Sequence, residues 1–180
     1  MKVLLLTVVL LIAMTGCGGK KTTGPGPNPG PKYQLPSSPS IVLSNLALAY
    51  SSRDSMEYAA LFDSAYAGIS TDQSDGSVLN FTKADETHHV NALARRTSIS
   101  AVRLQLPPVV ERFTDGADPA GWATVHFAPG SGFDVQIDDT PSSLYMSSNS
   151  ANEFKFAPRT PSAGSPTDTT WKVIRWIETR

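Results

Sequence analysis

The 180-residue chain has a single cysteine. That excludes an intrachain disulfide framework and any zinc site built from several cysteines. Charge is sparse as well: 17% of residues are charged and the formal net charge is −1. A general nucleic-acid binder needs a clustered basic surface, so that class is excluded. The chain also lacks an apolar run long enough to cross a bilayer. Its longest, Val3 to Met14, has twelve residues, and a spanning helix needs about 20. No motif names a reaction. The HExxH pattern is absent, and Gly130-Ser131-Gly132 lacks the spacing of a nucleophile elbow. Asp72 and Asp75 do not alternate as a calcium loop requires. Gly24, Gly26 and Gly30 miss the dinucleotide spacing and sit among prolines. Neither a cofactor nor a metal is expected.

What is present begins at the N-terminus. Lys2 precedes the apolar stretch, which has the length of a signal-peptide core. Thr15 and Gly16 then lead into Cys17. This arrangement resembles the lipobox of bacterial lipoproteins, with Met14 where leucine is usual. The resemblance implies a signal peptide over 1–16, cleavage before Cys17, and acylation of that cysteine. The membrane then becomes a partner through lipidated Cys17, and the protein belongs to the cell envelope. Gly18 is not the aspartate that retains some lipoproteins at the inner membrane, so the outer membrane is the default, facing the periplasm or the surface.

Residues 17–38 are crowded with Gly, Pro and Ser and show no apolar periodicity, so they read as a tether. Four of the fifteen basic residues precede Pro39, which leaves eleven against sixteen acidic ones in 39–180, a net of −5. A basic leader and tether thus precede an acidic body.

The body opens with helical patterning. Ser38 can cap a helix that starts at Pro39, with Leu43, Leu46, Ala47 and Tyr50 on one face. Asp54 and Glu57 cap a second helix, with Tyr58, Leu61, Phe62 and Ala65 as its apolar face. Thr82 and Asp85 open a third, which runs to Arg96 and buries Val90, Leu93 and Ala94. Residues 66–81 remain open between strand and turn. From Ser98 the period becomes two, with strands around 102–106, 122–127 and 133–138, shorter ones at 144–146 and 154–156, and a last one over 170–179. In that last strand Trp171 and Trp176, five apart, fall on opposite faces. Helices followed by antiparallel strands make an α+β architecture.

Ile41 to Leu46, Ala49-Tyr50, Arg53-Asp54, Tyr58, Leu61-Phe62 and the closing Trp171 to Trp176 together resemble NTF2-like domains. The resemblance implies an α+β cone over 39–180: about three N-terminal helices packed on a curved antiparallel sheet of five to six strands, around an apolar pocket. It also implies a homodimer through the sheet. Fold alone does not carry function. Enzymes of this family place Asp, His, Tyr or Arg inside the cone, and here Tyr50, Tyr58, Arg103, His126 and Arg175 are available. No Asp alternates into an apolar strand face. Glu86, His88 and His89 read as a solvated helix face rather than a metal site.

The expected pocket residues are therefore Tyr50, Tyr58, His126, Trp171 and Trp176, with no catalytic set. The expected function is a lipid-anchored envelope protein that binds a small apolar ligand or an envelope protein without catalysis. Two alternatives stand beside it: an isomerase- or dehydratase-type enzyme using His126 with a tyrosine, and a structural adaptor in an envelope assembly.

Overall fold

Three helices carry the caps their sequences specify. In a computed structural model describing residues 31–107, 110–146, 150–160 and 169–180, helix α1 spans Pro39–Ser51, and the Ser38 side chain accepts from the Ile41 amide at 3.3 Å. Arg53 takes a left-handed φ of 55° and turns the chain into α2, Ser55–Ala60, capped by Asp54. Helix α3, Lys83–Arg95, opens with a reciprocal capping box between Thr82 and Asp85. The leader, Cys17 and most of the tether lie outside the described residues. Among the described residues no helix is long and apolar enough to cross a membrane.

The strands are β1 (Phe62–Thr71), β2 (Val78–Thr82), β3 (Ile99–Gln105), β4 (Arg112–Phe113), β5 (Ala123–Phe127), β6 (Asp134–Asp139), β7 (Ser142–Met146), β8 (Ala151–Arg159) and β9 (Thr170–Thr179). Six of them form a curved sheet in the order β2-β1-β9-β8-β5-β4. The α+β expectation therefore holds, with two refinements. The sheet is mixed, because β1 runs parallel to β9. And β3 leaves it to build a separate sheet, β3-β6-β7. Helix α1 fixes that departure: Ser51 accepts from the Leu104 amide at 2.9 Å, and just beyond the helix the Arg53 guanidinium donates to the Ile99 carbonyl at 3.0 Å.

The second helix ends earlier than its apolar spacing suggests. Phe62 and Ala65 belong to β1, because Phe62 pairs with Val173, more than a hundred positions away. Local periodicity carries no information about such a partner.

One irregularity in β9 reorders its faces. Val173 pairs with Phe156, but the next pair is Arg175 with Lys155, so Ile174 is an extra residue, a bulge. Beyond it the alternation shifts by one. Pro158↔Trp171, Phe156↔Val173 and Phe154↔Trp176 then lie in register on one face, and Phe154 and Phe156 are fully buried there. Trp171 and Trp176 thus share the helix-facing side of the sheet. This corrects the expectation that they oppose each other.

The globular unit starts at Tyr33, six residues before the expected boundary. Tyr33 donates to Asp54 at 2.9 Å, Asn45 exchanges two hydrogen bonds with the Gln34 backbone, and the Trp171 amide donates to the Pro36 carbonyl at 2.7 Å. Asn45, a buried polar residue on an otherwise apolar helix face, is satisfied by this short segment.

Candidate functional site

The helix-facing side of the sheet does not close on the helices everywhere. Between β1, β2 and β9 on one side and α1, α2 and α3 on the other lies a cavity of about 650 Å³. The exposed residues Asn80, Asp85, His88 and His89 belong to its wall, so it opens to solvent on the β2–α3 side. The rest of the wall is largely aromatic and aliphatic, including Phe81, Leu104, Phe133, Val135 and Trp176.

A polar cluster lies within it. Glu86, half-buried on α3, accepts from Tyr66 at 2.8 Å through Oε1 and from Tyr58 at 3.3 Å through Oε2. One helical turn on, His89 Nε2 and Tyr50 Oη share a hydrogen bond of 2.9 Å. The rings form a chain, with Tyr50–Tyr58 at 5.8 Å, Tyr58–Phe62 at 5.0 Å and Phe62–Tyr66 at 4.6 Å. These side chains come from α1, α2, β1 and α3, so the cluster exists only once all four have packed.

Gly68 makes room for it. A Cβ there would stand 2.5 Å from the Tyr66 hydroxyl, well inside van der Waals contact. On β9, Glu178 accepts from Ser70 at 2.8 Å and Ser150 at 3.3 Å, while Trp176 Nε1 donates to Asn152 at 2.9 Å.

Burial pushes the Glu86 carboxyl above its ordinary range. The Tyr66 and Tyr58 hydroxyls pull it back in part, and the neighbouring Asp85 and Glu178 push it further up. Burial lowers His89, favouring the neutral imidazole. All three tyrosines are raised by burial first and Glu86 second, so they stay protonated as donors. A carboxyl pushed up beside an imidazole pushed down, both in a cleft, is the pattern of a functional site.

No family model matches the chain, and no curated protein matches it. The chain resembles NTF2-like proteins of known structure. One, an NTF2-like protein of unknown function in nutrient uptake from Rhodospirillum rubrum, is 13% identical with a TM-score of 0.49, over 78% of this chain and 95% of that one. Another, an NTF2-like protein with a cystatin-like fold from Novosphingobium aromaticivorans, is 14% identical with a TM-score of 0.47, over 77% and 76%. A third, from Cytophaga hutchinsonii, is 14% identical with a TM-score of 0.45, over 77% and 91%. At these scores the likeness carries no argument about the site. The architecture rests on the strand order itself, which has the curved sheet, helices and pocket that the family resemblance implies.

Of the expected pocket residues, Tyr50, Tyr58 and Trp176 line the cavity. His126 does not. It alternates with the fully buried Val125 and so points to the outer face, where its half-exposed ring sits 3.3 Å from Glu153. Trp171 packs at the core's edge beneath the Arg112 guanidinium, 5.2 Å from the ring centre. Arg103 pairs with Asp138 at 3.0 Å, and Arg175 donates to the Ala65 carbonyl at 2.9 Å, so neither belongs to the pocket wall.

Sequence reasoning missed Glu86, His89, Tyr66 and Glu178. The reading of Glu86, His88 and His89 as a solvated helix face is corrected for Glu86, which turns inward, while His88 and His89 are exposed. A signal was present, since Glu86 stands four residues before Val90 and seven before Leu93, on the same buried stripe. Glu178 was hidden by the bulge at Ile174, which puts it on the inner face. Among the described residues no cluster of three or more His, Cys, Asp or Glu side chains could hold a metal.

Proposed function

We propose that this is a lipid-anchored envelope protein whose globular unit holds a small, largely apolar molecule in its pocket and does not convert it. The observation that carries the binding reading is the cavity. About 650 Å³ falls within the roughly 300–1,000 Å³ typical of small-molecule sites, and an apolar wall with a few convergent polar groups is their usual composition. Anchoring rests on the lipobox-like sequence ending at Cys17. Three acyl chains on that cysteine would make the tether permanent, whereas one holds only marginally.

Native mass spectrometry of the protein purified from its own host tests the pocket. The expected result is a bound small molecule that Trp176→Ala loses. A bare chain that also fails to take up hydrophobic dyes would overturn the reading. Cys17→Ser tests the anchor, which predicts either a soluble protein or an uncut precursor. Membrane retention with intact lipid labelling in that variant would remove it.

A second reading has one observation in its favour. Glu86, raised by burial, and His89, lowered by it, share a pocket with three phenols, the kind of set that acid–base isomerisation or dehydration uses. In that case Glu86 and His89 take the place the sequence suggested for His126.

A further inference from the structure

The pocket carries an imbalance of charge. Its titratable groups are Tyr50 from α1, Tyr58 from α2, Tyr66 from β1, Asp85, Glu86, His88 and His89 from α3, and Glu178 from β9. Among the described residues no lysine or arginine lines it. The basic side chains near the start of β1 are committed elsewhere. Lys83 donates to the Phe62 carbonyl, Lys172 to the Ala60 carbonyl, and Arg175 to the Ala65 carbonyl.

We propose that the pocket takes a cation, a compact organic ammonium held between Glu86, Glu178 and the surrounding aromatic rings. This rests on the reading of the pocket as a binding site and names the ligand's class. The hydrogen bonds to both carboxylates come from neutral hydroxyls: tyrosines on Glu86, serines on Glu178. Hydroxyls orient a carboxylate but leave its charge uncompensated, and the charged neighbours that weigh on Glu86 are themselves carboxylates. An anionic ligand meets repulsion from this set, and a neutral one leaves it unchanged. A cation relieves it. The aromatic wall adds to the preference, because Tyr50, Tyr58, Tyr66, Phe81, Phe133 and Trp176 can present ring faces, which attract cations within about 6 Å. The mainly apolar remainder requires the charge to be carried on a hydrocarbon body.

The test compares three molecules of one shape: 1-adamantanamine, 1-adamantanol and 1-adamantanecarboxylate. They are titrated calorimetrically into the whole mature chain, residues 17–180, with Cys17→Ser so that no detergent is needed. The amine is expected to bind at least about tenfold more tightly than the alcohol, with the carboxylate weakest. Glu86→Gln and Glu178→Gln should each cut that preference, read as the ratio of amine to alcohol affinity within each variant. An alcohol or carboxylate that binds as tightly as the amine overturns the cation while the pocket reading stands. No binding of any of the three at millimolar concentration removes both. An amine preference that survives in both glutamine variants overturns the assignment to these carboxylates. The ratio on the unmutated pocket needs no variant, so a variant that fails to fold leaves the test intact.

Discussion

Neighbouring residues on β8 face two different electrostatic worlds. Phe154 points inward to Trp176, at a ring distance of 4.7 Å. Lys155 points outward and joins Asp115 at 2.9 Å, Asp118 at 2.8 Å and Glu153 at 3.6 Å. On the outer face a cation sits among carboxylates. Burial tends to lower Lys155, but its hydrogen bonds to Asp118 and Asp115 prevail and hold the ammonium above its usual range. The Ala117 amide and then Lys155 hold Asp115 below the ordinary carboxylate range. On the inner face burial raises the Glu86 carboxyl, against the pull of the Tyr66 and Tyr58 hydroxyls. Neutral donors lower both carboxyls, the Ala117 amide at Asp115 and the phenols at Glu86, so it is burial that reverses the direction at Glu86.

The largest break in this comparison is Phe154→Ala, which should cost about 3–5 kcal/mol, as for buried aromatic truncations in general. Lys155→Met next to it should cost clearly less, and urea midpoints of the two variants measure the gap. Gly68→Ala comes second. It drives a methyl against the Tyr66 hydroxyl and should cost about 1–3 kcal/mol, the usual range for overpacking. Combining it with Tyr66→Phe should recover part of that loss, whereas strictly additive effects would show that the two positions do not compete for space.

Third, the faces should respond oppositely to pH. The folded protein holds the Glu86 proton more tightly than the unfolded chain does, so stability is fullest below the unfolded value and falls as pH rises through the folded one. Asp115 runs the other way, contributing above its unfolded value and losing that as pH falls through the lowered folded one. Melting temperatures from acid to neutral pH should therefore flatten at the upper end in Glu86→Gln and at the lower end in Asp115→Asn. Identical pH profiles in both variants and the parent would contradict this. The smallest effect is expected from His126→Ala. It should shift stability by less than about 0.5 kcal/mol, as exposed substitutions usually do, and leave probe binding untouched.

The helix caps were legible because capping is local: Ser38, Asp54 and the Thr82–Asp85 box each act within three residues. Alternating strands such as 123–127 were legible for the same reason. The extra residue at Ile174 was not. It follows from how β9 meets β8, and it moved Trp171, Trp176 and Glu178 relative to a simple period of two. Tyr50, Tyr58 and Trp176 were found because large aromatics near the core are conspicuous. Glu86 was missed because a carboxylate on a helix reads as solvent-facing until the tyrosines that receive it, from β1 and α2, are known to converge there.

The placement of β9 also governs when the fold can form. It lies between β1 and β8, so a chain lacking residues 170–179 has two separate pieces, β2-β1 and β8-β5-β4, each with a bare edge. Joining them closes a loop of more than a hundred residues, a contact of high sequence separation that slows folding. Of the six strands, β9 is the one that joins the two pieces into a single sheet.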